Sequence, residues 1–135
     1  MAGLRVGYAI GRADLMDCLY RVREPFPVHR LGQAGAVAAL QDKTHAGKSI
    51  RMVLEGRRYL YRELDKLGLF YVPSQANFIF MDLGKDSKKM LQNLLNEGVI
   101  IRPGYIWGYP TFTRVTVGRP EDNRRLIKAL SKNLK

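Results

Sequence analysis

Leu4, Val6 and Tyr8 fall on one face of a period-two stretch from Gly3 to Ile10, with Arg5, Gly7 and Ala9 on the other, so a strand is predicted there. Gly11-Arg12-Ala13-Asp14 then leads into a helix that reaches about Arg23 and is ended by Glu24-Pro25 and Pro27. From Val28 to about Gly47, Leu31, Ala34, Val37, Ala38 and Leu40 recur at helical spacing. Gly32, Gly35, Ala36 and Ala39 keep that helix thin enough for close packing. The next helix, Ser49 to about Lys66, gathers Ile50, Val53, Leu54, Leu60, Tyr61 and Leu64 on one stripe, and Gly68 suits its left-handed end.

In the second half the two periods alternate at short range. Leu69-Phe70-Tyr71-Val72 and Ala76-Asn77-Phe78-Ile79-Phe80-Met81 read as strands separated by Pro73-Ser74-Gln75. Asp86 or Ser87 caps a helix carrying Met90, Leu91, Leu94 and Leu95 on one face, and Gly98 ends it before the strand Val99-Ile100-Ile101-Arg102. Pro103 and Gly104 stop that strand. A loop with Tyr105, Trp107, Gly108, Tyr109 and Pro110 follows, then the strand Phe112 to Val117. The last helix opens near Pro120-Glu121-Asp122, with acids at its positive end, and turns Leu126, Ile127, Leu130 and Leu134 inward. The pattern predicts a mixed α/β chain without internal repeats or flexible linkers.

At 135 residues and 46% hydrophobic, the chain has the bulk for a real core, and disorder is not expected. It contains no run of about 18 apolar residues and no basic-then-apolar start, so neither a membrane span nor a secretory signal is expected, and the default location is the cytoplasm. Cys18 stands alone among helical apolar neighbours, Leu15, Met16, Leu19 and Val22, which predicts a buried structural thiol and no internal disulfide. The 23 basic and 12 acidic residues give a formal charge of +11. The excess is spread over separate elements, so it reads as a solvated surface, and no nucleic-acid partner is expected. His29 and His45 have no partners at metal-ligand spacing, so a metal site is not expected and both read as surface or loop histidines. GxxxxGK, GxGxxG and GxSxG patterns are all missing.

Arg5, Arg102 and Arg114 are the exceptions to a basic surface, because each stands in or at the end of an apolar strand. An unpaired guanidinium in such a place costs several kcal/mol of desolvation, so each calls for an anion. The planar fork of arginine matches carboxylate and phosphate oxygens in pairs. Two readings stay open here: anion recognition, or fixed ion pairs and, for Arg114, a water-facing position on a one-sided sheet.

Five segments in order, AGLRVGY, REPFPVHRLGQAGAVAAL, ANFIF, GVIIRP and TRVTVGRPEDN, make the chain resemble the C-terminal portion of the histidinol-phosphate aminotransferase family over essentially its whole length. These are fold-type I aminotransferases that use pyridoxal phosphate. The resemblance implies one strand and helices of the large cofactor domain over residues 1–45. Residues 46–135 would then be the small C-terminal α/β domain, a mostly antiparallel sheet packed by helices. It implies that Arg5 binds the cofactor phosphate, and that Arg102 and Arg114 hold the substrate's phosphate. Asn77, in the family's NF strand motif, reads as mainly structural.

The family's Schiff-base lysine lies in a Ser-x-Lys segment shortly before GLR, which places it upstream of Met1. None of Lys43, Lys48, Lys66 or Lys85 sits in a matching motif. No catalytic residue is therefore expected in this chain, which on its own should be inactive. For the parent, the resemblance implies a homodimer of histidine biosynthesis that exchanges an amino group between histidinol phosphate and 2-oxoglutarate. Pro27, Thr113 and the Gly104-Tyr105-Ile106-Trp107-Gly108 loop depart from the family pattern and bear on the exact substrate. The alternatives are another aminotransferase of this fold, a related phospho-amino-acid decarboxylase, a noncatalytic paralogue, or a basic RNA-binding module with aromatic residues displayed on a sheet face.

Overall fold

A computed structural model describes residues 2–134 and divides the chain into two compact units, 1–47 and 48–135. In the first unit a 3-10 turn, Ala2–Leu4, precedes α1, Ala13–Val22, and α2, Arg30–Gln41. The strand predicted from Gly3 to Ile10 is not formed. A strand exists by hydrogen bonding to a neighbour, and the regular elements of this unit are helical. Arg5 also has φ 54°, a left-handed conformation that interrupts an extended run.

Cys18 is exposed rather than buried, because α1 buries none of its residues and leaves Leu15, Leu19, Tyr20 and Val22 exposed. His29 is the exposed loop histidine that was expected, and it also caps a helix. Its Nδ1 accepts the Gly32 amide at 3.0 Å as the N-cap of α2, while Nε2 lies 3.2 Å from the Leu4 carbonyl oxygen.

The helix predicted to reach Gly47 stops earlier. α2 ends at Gln41, and α3 runs from Lys43 to Lys66. Asp42 between them is extended, and its Oδ1 accepts the amides of Thr44 and His45 and the Thr44 hydroxyl, each at 2.9 Å. A carboxylate that takes up the free amides of a helix start is a cap, and it decides where the break falls.

The second unit is one antiparallel sheet with helices on one side. Its strands are β1, Tyr71–Val72; β2, Phe78–Asp82; β3, Arg102–Pro103; and β4, Phe112–Thr116, in the order β1-β2-β4-β3. Alternation divides the central strands: Ile79, Met81, Thr113 and Val115 are buried, while Phe78, Phe80, Phe112 and Arg114 are half-buried on the opposite face. The buried face packs with Leu60 and Leu64 of α3, Met90 and Leu94 of α4, Ser87–Asn96, and Leu126 and Leu130 of α5, Pro120–Asn133.

Asp86 is the cap of α4, accepting the amides of Lys88 and Lys89. β3 is shorter than predicted. Only Arg102 and Pro103 pair with β4; Ile101 drops into the core and Ile100 is exposed. Proline has no N–H to donate, so Pro103 suits this edge position.

Beyond β4, buried Asn123 accepts the Gly118 amide at 2.9 Å and donates to the Gly118 carbonyl at 3.0 Å. The Arg119 guanidinium beside Asp122 holds its carboxyl below the usual range. The GRPEDN string thus builds the corner between β4 and α5. Among the described residues no helix is long and apolar enough to cross a membrane.

Candidate anion site on the open sheet face

Antiparallel pairing sets the geometry of this site. Arg102 on β3 stands directly opposite Arg114 on β4, and Arg114 stands opposite Phe80 on β2. Directly opposed residues of an antiparallel pair project to the same face, and here it is the face away from the core. Two guanidiniums are therefore neighbours across one ladder step. Like charges directly opposite each other destabilise a sheet, and an anion between or beside them would relieve that repulsion.

Neither arginine has a carboxylate partner among the described residues. The ion pairs of the second unit use Arg62, Lys66, Arg119 and Lys132. Arg114 packs instead against aromatic rings, with Cζ 5.1 Å from the centroid of Phe78 and 5.7 Å from that of Trp107. An open cleft of about 440 Å³ lies here, lined by Ile100, Arg102, Tyr105, Ile106, Arg114 and Thr116 among others.

The residues around the pair fix its two strands and the loop beside them. Thr113, expected to matter only as a departure from pattern, is fully buried and donates its Oγ1–H to the Arg102 carbonyl at 3.0 Å. That bond ties the two arginine-bearing strands together beside the charges. The loop after β3 is a 3-10 turn, Gly104–Trp107, closed by Gly108 at φ 81°. A Cβ on Gly104 would lie 2.7 Å from the Tyr109 carbonyl oxygen and 2.8 Å from that of Phe112, so only glycine fits. Phe80 stacks on Phe112 at 5.0 Å and makes T-shaped contacts with Trp107 and Tyr109 at 6.0 and 5.6 Å.

Of the three arginines singled out from sequence, two come together. Arg5 belongs to the other unit, exposed on the turn that follows Leu4. Phe78 joins the site without having been singled out from sequence, whereas Thr113 and the loop carrying Trp107 are among the departures from the family pattern that bear on the substrate. A phenylalanine two residues before another on one strand is a signal the sequence carries; the reach of Trp107 from its loop is not. Among the described residues no group of three His, Cys, Asp or Glu is placed to hold a metal.

Comparison with known proteins adds an independent line. The family model for aminotransferase class I and II matches residues 1–130. A histidinol-phosphate aminotransferase from Moorella thermoacetica is 51% identical over 130 residues, which is 96% of this chain and 34% of that protein. The chain thus spans about a third of the length of the curated relatives it matches.

Among solved structures, the histidinol-phosphate aminotransferase of Sinorhizobium meliloti in complex with pyridoxal-5'-phosphate superposes with a TM-score of 0.84 at 25% identity, covering 99% of this chain and 38% of that one. The L-threonine-O-3-phosphate decarboxylase of Porphyromonas gingivalis gives 0.80 at 27% identity, covering 98% and 42%.

Proposed function

The chain belongs to the class I and II aminotransferases, and from that membership we propose that it is the C-terminal third of a pyridoxal-phosphate enzyme that transfers the amino group of histidinol phosphate to 2-oxoglutarate. The observation that carries the substrate assignment is the Arg102–Arg114 pair, two permanent charges opposed on an open face without a carboxylate among the described residues. A phosphate dianion answers two guanidiniums better than a single carboxylate does. The likeness to two enzymes whose names each include a phosphorylated compound supports the same reading.

Toward the cofactor, Arg5 is this chain's candidate for the phosphate group. One exposed arginine on a turn does not make a cofactor site, so the 135 residues alone do not fit the whole group. The parent enzyme is read as a cytoplasmic homodimer.

The test is made in the parent enzyme with Arg102→Ala and Arg114→Ala. Each substitution removes a charge-assisted hydrogen-bond donor and is expected to lower kcat/KM for histidinol phosphate roughly ten- to hundredfold. Histidinol, which lacks the phosphate, should lose much less. Equal losses on both substrates would overturn the phosphate assignment.

A second reading, decarboxylation of a phosphorylated amino acid, is favoured by the Porphyromonas likeness and uses the same arginines. Release of CO2 from the amino substrate, without amino transfer to 2-oxoglutarate, distinguishes it.

A further inference from the structure

Arg102 and Arg114 are held differently. Arg102 is exposed on an edge strand of two residues. Arg114 lies on a central strand, and its guanidinium is flanked by the rings of Phe78 and Trp107. Phe78 is fixed by the ladder, opposite Thr116. Trp107 comes from outside the sheet, at the end of the Gly104–Trp107 turn, and its ring meets that of Phe80 in a T-shaped contact. That turn admits only glycine at its start and closes on a left-handed Gly108, so the backbone is shaped to bring one indole to this place. Trp107 is left 44% exposed beside a permanent cation.

An aromatic face restrains a guanidinium without using its N–H groups, whereas a carboxylate would occupy them. We propose that Trp107 is a positioning residue: with Phe78 it holds the Arg114 guanidinium in place while leaving its five N–H donors for an incoming phosphate. The ligand half of this statement rests on the phosphate reading of the Arg102–Arg114 pair. The ordering half does not.

The test uses the full chain with isotope-labelled arginine, following the Nε–H signals of Arg102 and Arg114 in Trp107→Ala, Trp107→Leu and Trp107→Phe. Amide signals of Thr113 and Val115 report whether the sheet is intact. Without ligand, Arg114 is expected to be more ordered than Arg102. It should become as mobile as Arg102 in the Ala and Leu variants and stay ordered in the Phe variant. Inorganic phosphate should shift both Nε–H signals, with affinity falling roughly two- to fivefold in the Ala and Leu variants and holding in Phe.

Unchanged Arg114 mobility in Trp107→Ala overturns the proposal, as does restoration by Leu, which supplies bulk without a π face. If inorganic phosphate shifts neither arginine of the native chain, the phosphate reading fails, and the mobility comparison still decides the ordering role of Trp107.

Discussion

Between the two arginine-bearing strands, Thr113 occupies a position where an apolar residue would satisfy the core equally well. Its hydroxyl is fully buried and has one partner, the Arg102 carbonyl. Thr113→Val keeps the shape and removes that bond, so denaturant unfolding is expected to show a loss of about 1 kcal/mol. The loss should be concentrated at β3, where Arg102 and Pro103 make the whole edge pairing. Residue identity alone leaves Arg102 and Arg114 as two separate candidates for anion recognition. That the two stand directly opposite each other follows from their register, which no local pattern contains.

The helices are legible in the sequence as elements and less so at their ends. Asp42 falls inside a predicted helix because Leu40 and its predecessors keep helical spacing, but its carboxylate binds the amides of the next helix start. Those bonds from His45 and Thr44 hold the Asp42 carboxyl below its ordinary value of 3.8. Since the folded value is depressed, the cap contributes above the unfolded value and is lost as pH falls through the folded one. The Thr44 and His45 amide signals are therefore expected to titrate below about pH 3.8 in the native chain and not in Asp42→Ala. The predicted strand at Gly3 to Ile10 fails for another reason. Alternation shows which face a strand would bury, and pairing decides whether the strand exists.

Across the whole chain, burial is unequally shared. The fully buried side chains, Leu60, Leu64, Ile79, Met81, Leu94 and Leu130 among them, lie in unit 48–135, whereas α1 buries nothing and α2 only Gly32. Residues 48–135 expressed alone should keep cooperative thermal unfolding, and residues 1–47 alone should show no cooperative transition by circular dichroism. A cooperative 1–47 peptide would contradict this. The full chain treated with pyridoxal phosphate and borohydride is expected to give scattered, substoichiometric lysine adducts by mass spectrometry. One stoichiometric adduct at a single lysine would show that it carries a Schiff-base site of its own.

Read alone, the sequence determined the α/β class, the positions of the helices, the core residues of the sheet and the placing of Arg102 and Arg114 in or at the end of strands. It could do so because period, glycine and proline are local signals. Tertiary structure alone decided that Arg102 and Arg114 face each other, that Thr113 locks their strands, and that Trp107 reaches Arg114 from a loop. Those relations join residues on separate elements, and only strand register and a turn with no room for a Cβ bring them to one place.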